Sequence, residues 1–247
     1  NGELLYTTAG VLETINTIET TLGDGDIINA GNGNNVILGG MGLDTIVAGN
    51  GTNTVLGDNG TVTYNTVSTA WINKVTTTDT TRGDNDKITV GNGTSAILGG
   101  MGDDTIAAGD ATGTNSNTIL GDNGTLIYSA DGVLASVTTD ETTLGGADKI
   151  TSGNGTNRIL GGMGTDTINA DLNGTSNNTI LGDNGELLYT TVGVLKTINT
   201  TATTLGDGDI INAGNGKNVI LGGMGLDTIV TGNGTNTILG DNGTVTY

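Results

Sequence analysis

The residues best suited to chemistry in this chain are aspartates at a fixed interval. Asp26 and Asp44, Asp86 and Asp104, Asp148 and Asp166, and Asp209 and Asp227 are each separated by 18 positions. The second member of every pair follows a Gly-Met-Gly segment, at 40–42, 100–102, 162–164 and 223–225. Asp24, Asp84 and Asp207 stand two places before the first member of a pair, and Asp58, Asp122, Asp183 and Asp241 sit in four copies of Leu-Gly-Asp-Asn-Gly. Carboxylates beside the carbonyls of glycine-rich turns are hard oxygen donors, so the chemistry on offer is cation binding. Cysteine and histidine are absent, which excludes thiolate and imidazole ligands and removes the usual nucleophile and base pairs of catalysis. With 26 acidic against 7 basic residues and a formal charge of −19, nucleic acid and anionic membrane surfaces are disfavoured partners.

The elements that must position these aspartates follow from a nine-residue period. Residues 21–65 divide without gaps into TLGDGDIIN, AGNGNNVIL, GGMGLDTIV, AGNGTNTVL and GDNGTVTYN. Each unit opens on residues that tolerate left-handed turns and closes on strand formers. Two units make a coil of 18, with aspartate on one edge and Asn35, Ser95, Asn157 or Asn218 at the same place on the other. Glycine fills 46 positions and phenylalanine none, a supply that suits a thin β-core built from Ile, Leu, Val and Ala.

Longer repeats lie above this one. The Leu-Gly-Asp-Asn-Gly copies at 56–60, 120–124, 181–185 and 239–243 set modules of approximately 1–58, 59–122, 123–183 and 184–241, with 242–247 starting the next. Residues 1–58 differ from 184–241 at seven positions, the mark of a long array and of one continuous solenoid over 1–247. Between nonapeptide tracts lie insertions such as 3–21 and 125–143, split by Ala-Gly or Asp-Gly into two strand-like halves, and these predict one β-hairpin per module. The spacing predicts about three coils per module, one enlarged by the hairpin, and twelve coils would extend roughly 58 Å. Smaller insertions at Asp110–Ser116 and Asp171–Ser176 predict loops on the asparagine edge.

GGMGLDTIV at 39–47 fits GGxGxDxUx, and the frame recurs in LGGMGDDTIA, LGGMGTDTIN and LGGMGLDTIV. In these residues the chain resembles the RTX, or haemolysin-type, calcium-binding repeats. The resemblance implies an all-β fold, a parallel β-roll or β-solenoid, whose six-residue turns bind calcium between successive coils. It also implies export by type I secretion of a chain that orders in extracellular calcium. Asparagine or serine replaces aspartate on alternate turns, so calcium is expected on one edge only.

Electrostatics points the same way. Coils about 4.8 Å apart would stack Asp26, Asp44 and the Asp58 turn into a column of like charges, and two carboxylates about 5 Å apart repel by roughly 3 kcal/mol at an effective dielectric near 20. A cation between them reverses the sign. Calcium suits six to eight flexible oxygen donors better than magnesium does. All the aspartates named above are candidate ligands. On the other edge, Asn32, Asn35, Asn50 and Asn53 are candidates for an amide ladder.

Ile28, Ile37, Ile46, Val55 and their equivalents occupy the inward strand position. A second stripe, Leu38, Leu56, Leu98, Leu120, Leu160, Leu181, Leu221 and Leu239, is directed outward by strand alternation, where the hairpins or a neighbouring chain would cover it, unless it turns inward at a corner. The leading functional expectation is a calcium-stabilised structural segment of an extracellular bacterial filament, giant adhesin or surface layer, self-associating and without enzymatic activity. The alternatives are a repeat region binding ice or a surface polysaccharide, or a module appended to a secreted enzyme. Ice demands an uninterrupted two-dimensional array, which the hairpins are expected to break.

Overall fold

The computed structural model describes residues 2–18, 20–66, 71–170 and 174–247. One module shows how the sequence builds it. β1 (Gly2–Tyr6) and β2 (Leu12–Thr17) form an antiparallel pair, and β3 (Ile27–Ala30) with β4 (Gly33–Leu38) then makes one coil. β5 (Thr45–Ala48) and β6 (Gly51–Leu56) make the next coil, after which the pair β7 (Gly60–Tyr64) and β8 (Ile72–Thr77) opens the following module. Strands end where glycines take positive φ, as at Gly40 (φ 108°) and Gly42 (φ 105°), a conformation costly for any residue with a Cβ.

Among the described residues the chain forms three sheets and no helix. Two are parallel and eight-stranded: a far sheet containing β3 and β5, and a middle sheet containing β4 and β6. Register is strict, so that Ile37, Val55, Ile97 and Ile119 stand in one row and Leu38, Leu56, Leu98 and Leu120 in the next. The third sheet has nine antiparallel strands and collects β1, β2, β7, β8 and their successors.

Strand alternation divides the apolar residues between two cores. Ile46, Ile88, Ile106 and Ile150 from the far sheet meet Val55, Ile97, Ile119 and Ile159 from the middle sheet inside the roll. The leucine stripe projects from the opposite face of the middle sheet into a second core with Val62, Val75, Leu126, Val137, Leu187 and Ile198 of the antiparallel sheet. Leu56, Leu98, Leu120, Leu160, Leu181 and Leu221 are fully buried there. The stripe is therefore covered by this chain's own strand pairs, and neither a corner nor a neighbouring molecule is needed to shelter it.

Two expectations are corrected. Among the described residues the chain makes eight coils, not twelve, because the insertion does not enlarge a coil: it leaves the roll and pairs with its counterparts. Each module thus adds two strands to every sheet, and all three sheets grow by the same step of about 9.6 Å, for a rise of about 34 Å from first coil to last. Nor do the insertions interrupt a surface array. Asn16, Thr61, Thr76, Thr125, Thr138, Glu186, Asn199 and Thr244 run unbroken along the antiparallel sheet, on the strand faces opposite Val62 and Val75.

The insertion after β-strand Thr105–Ala108 is a loop on the asparagine edge, closed by Asp110 Oδ1, which accepts from Thr112 N (2.8 Å), Thr112 Oγ1 (2.6 Å) and Gly113 N (3.1 Å). Of the second small insertion, Asp171, Leu172 and Asn173 lie outside the described residues.

Candidate metal centre

Each strand of the far sheet is entered from one of the 18-spaced aspartates, and parallel register stacks them into one file: Asp26, Asp44, Asp86, Asp104, Asp148, Asp166, Asp209, Asp227. The N–H of each donates to Oδ1 of the next, at 2.6, 2.7, 2.6, 2.7, 2.8, 2.8 and 2.9 Å in that order. Their carbonyls accept from the following coil as well, for example Lys87 N to Asp44 O and Lys149 N to Asp104 O, both 2.8 Å. The file passes each antiparallel pair without a break, Asp44 to Asp86 and Asp104 to Asp148, because the inserted strands leave the roll's own spacing unchanged.

From Asp44 to Asp227 one oxygen of each carboxylate is thus used, and the other is not. Oδ2 of Asp44, Asp86, Asp104, Asp148, Asp166, Asp209 and Asp227 is buried without a hydrogen-bond partner. A Cβ placed on Gly39 would lie 2.2 Å from both Asp44 Oδ2 and Gly57 O, and one on Gly161 would lie 2.1 Å from both Asp166 Oδ2 and Gly182 O. Glycine is required at these turns because a carboxylate oxygen and a carbonyl oxygen of adjacent coils converge on the space a side chain would fill. Such a pair of unmatched anionic and carbonyl oxygens fits a hard divalent cation. Among the described residues no three acidic side chains converge on one point, so the donor set combines file carboxylates with turn carbonyls.

Burial sets the electrostatics. It lifts Asp44 to about 6, Asp86 to about 7 and Asp209 to about 8 against backbone hydrogen bonds that pull the other way, and neighbouring carboxylates raise them further. Asp104, Asp148 and Asp166, in the middle of the file, are driven well above the carboxylate range by burial and by their neighbours' charge.

The remaining sequence candidates fall into two other places. Asp58 does not stand in the file, contrary to the expected column, since Asp86 is the residue stacked on Asp44. The reason is that the Leu-Gly-Asp-Asn-Gly turn feeds the antiparallel sheet and not the far sheet. Asp58, Asp122 and Asp183 are buried beside the file with backbone amides as partners: Asp58 Oδ2 accepts from Met101 N and Asp122 Oδ2 from Met163 N, both at 2.6 Å. Asp24, Asp84, Asp207 and Asp241 are exposed on the same edge, and the charge of Asp84 raises both Asp44 and Asp86.

Two participants escape a reading of aspartate spacing. Asp103 Oδ1 accepts from Ala147 N (2.8 Å), and its charge raises Asp122 and Asp148. Its signal was the second aspartate of GGMGDD. The turn carbonyls of Gly57, Gly121, Gly182 and Gly240 carry no side-chain signal at all.

The asparagine edge pairs its own polar groups without a cation. Asn117 Nδ2 donates to Asn157 Oδ1 (3.0 Å), Asn157 to Asn178 (2.9 Å), Asn178 to Asn218 (2.8 Å) and Asn218 to Asn236 (2.8 Å). Asn35 donates to Asn53 (2.8 Å) in the same way, whereas Asn32 Oδ1 and Asn50 Oδ1 accept from backbone N–H of the next coil, each at 2.8 Å. An amide carries both a donor and an acceptor and closes its own ladder; a carboxylate has no proton to offer the oxygen beside it.

The model of the RTX calcium-binding nonapeptide repeat matches in four copies, at residues 20–60, 80–114, 142–172 and 203–244, more than half of the chain. No curated protein matches this sequence, and no solved structure matches this fold. The matched segments contain all eight aspartates of the file, and the chain belongs to the RTX nonapeptide-repeat family, whose repeats bind calcium ions.

Proposed function

We propose that the file from Asp26 to Asp227 holds calcium between successive coils and that the filled array is a stiff structural segment of a secreted bacterial surface filament or giant adhesin. The observation that carries this reading is the unbroken succession from Asp44 to Asp227 of carboxylates that each keep one buried oxygen unmatched. Bound calcium supplies positive charge to that line. The chain's own part is to hold Oδ1 of each aspartate from Asp44 to Asp227 on a backbone amide, so that Oδ2 and the glycine carbonyls are aimed before the ion arrives. The exposed Asp24, Asp84, Asp207 and Asp241 flank the file and add to the field that draws cations in.

Calcium sites of extracellular modules often work in the 10⁻⁴ to 10⁻³ M range, which would leave such sites empty inside a cell and fill them after export. Among the described residues no helix is long and apolar enough to cross a membrane. No catalytic role is proposed, since the aspartates recur as a line instead of converging around a substrate. Self-association is part of this reading, but the leucine stripe lends it no support because it lies inside the molecule.

Circular dichroism and melting in millimolar calcium and in chelator test the proposal. β-Structure and melting temperature should rise with calcium in the parent chain and rise much less in the doubly substituted Asp44→Ala, Asp104→Ala protein; indifference to the metal would sink it. Sedimentation velocity in calcium tests self-association. A second reading, a polysaccharide or ice ligand on the outer face of the antiparallel sheet, is favoured by the continuous row through Thr61, Thr76 and Thr125; a glycan array and ice-growth arrest would distinguish it.

A further inference from the structure

Leu-Gly-Asp-Asn-Gly recurs unchanged in four copies, and in the copy at 120–124 the structure gives every residue a long-range partner. Its leucine lies in the second core, beneath the antiparallel sheet. Its first glycine faces the file: a Cβ on Gly57 would meet Asp86 Oδ2 at 2.2 Å, and one on Gly121 would meet Asp148 Oδ2 at 2.0 Å. Its last glycine lies against that same leucine: a Cβ on Gly124 would meet Leu120 Cδ2 at 2.1 Å, while Gly124 N donates to Thr77 Oγ1 of the preceding module (3.0 Å).

The two polar residues reach in opposite directions. Asp122 Oδ1 accepts from Gly146 N (2.9 Å), in the turn that re-enters the roll, and Oδ2 accepts from Met163 N (2.6 Å), in the Gly-Met-Gly turn of the next coil. Asp183 repeats this with Asp207 N (3.3 Å) and Met224 N, whereas Asp58 holds Met101 N with Oδ2 and leaves Oδ1 unmatched. Asn123 Nδ2 instead reaches back to Thr80 O (3.3 Å), in the re-entry turn of the module before, as Asn184 does to Thr142 O (3.4 Å) and Asn242 to Thr203 O (3.2 Å). The re-entry turns are built to receive these contacts: Asp79, Glu141 and Ala202 take positive φ (51°, 51° and 49°) at the same place in three modules.

We infer that Asp122 and Asp183 are positioning residues and not calcium ligands, and that the dipeptides Asp122-Asn123 and Asp183-Asn184 clasp the re-entry turns on either side and so couple the calcium turns of successive modules. The distinction rests on where the oxygens point. File aspartates spend one oxygen on an amide and keep the other unmatched, whereas Asp122 and Asp183 spend both on amides. Nearest-neighbour coupling of this kind turns a stack of weak sites into a cooperative array. The inference rests on the calcium reading above.

The test uses the full chain as Asp122→Asn, with Asn123→Ala as the backward arm and Asp166→Asn as a ligand control. Calorimetric titration with calcium chloride gives stoichiometry, midpoint and cooperativity, and hydrogen exchange gives protection of individual amides. Asp122→Asn should bind the parental number of ions, raise the midpoint about tenfold through loss of one charge-assisted hydrogen bond, lower the cooperativity and deprotect the Met163 amide. Asn123→Ala should also lower cooperativity at unchanged stoichiometry, while Asp166→Asn should lose ions. Loss of an ion in Asp122→Asn would make Asp122 a ligand and overturn the inference, as would parental midpoint, cooperativity and protection together. Exchange at Met163 in chelator reads the clasp without metal, so that its failure and failure of the calcium reading are separable.

Discussion

At the scale of single residues, the file aspartates are held against their own electrostatics. Backbone register brings them to about 4.8 Å spacing, burial removes water from them, and each gains only one amide bond in return. Asp166→Asn should therefore act with opposite sign in two buffers. In chelator it removes a buried charge that repels both neighbours, by roughly 3 kcal/mol per pair at an effective dielectric near 20, so the melting temperature should rise; in millimolar calcium it removes a ligand, and the melting temperature should fall below the parent's. The pH dependence follows by linkage. Burial raises Asp44 to about 6, Asp86 to about 7 and Asp209 to about 8, above the unfolded value of 3.8. A group that holds its proton more tightly when folded stabilises the fold below its unfolded pKa and loses that contribution as pH climbs through the folded one. Metal-free protein should thus melt higher at pH 5 than at pH 8. The increment added by calcium should be larger at pH 8 than at pH 5, because protons compete for the same oxygens. Thermal melts with and without chelator at the two pH values check both signs.

At the scale of elements, the middle sheet is the one that everything else requires, because both of its faces are covered. Leu160→Ala empties a fully buried site between the middle and antiparallel sheets, and a loss of about 2–5 kcal/mol is expected in urea unfolding. The asparagine ladder has one gap. Ser95 pairs in register with Asn53 on one side and Asn117 on the other, and its hydroxyl is buried without a partner, as is Asn117 Oδ1. Ser95→Asn supplies the missing amide beside the carbonyl of Gly91, the equivalent of the Gly49 carbonyl that receives Asn53 Nδ2 (2.8 Å). It should stabilise the protein by about 1 kcal/mol, and an unchanged or lower unfolding midpoint would count against the ladder as a stabilising element.

At the scale of the whole molecule, the decisive property is commensurability. A module adds two strands to each of three sheets, so roll and antiparallel sheet advance together and neither strains the other. Excising residues 123–183 joins Asp122 to Asn184 and restores Gly-Asp-Asn-Gly across the junction. The shortened chain should fold with the same calcium dependence and lose about 9.6 Å of length, two strand spacings, which small-angle scattering can measure. Collapse of the calcium transition on excision would mean that the modules are not interchangeable stacking units.

Much of this was fixed by local sequence. The 18-residue spacing of Asp26 and Asp44, the β-branched residues after each turn and the glycines within it dictate parallel coils with aspartate on one edge and asparagine on the other. A period repeated without gaps admits few other foldings, and the absence of His and Cys restricts any metal site to oxygen donors. The partners of the insertions were not legible there. Alternation placed Leu98 and Leu120 on an outward face but not what lay over it, and the count of coils failed because chain length alone cannot say whether an insertion widens a coil or leaves it. Only the tertiary structure decided that Asp86 stacks on Asp44 at a separation of 42 positions, that Asp58 stands beside the file with an amide as partner, and that glycine carbonyls face the unmatched carboxylate oxygens. Local sequence sets the period of strand and turn; which distant turns share a level depends on three sheets closing in a common register.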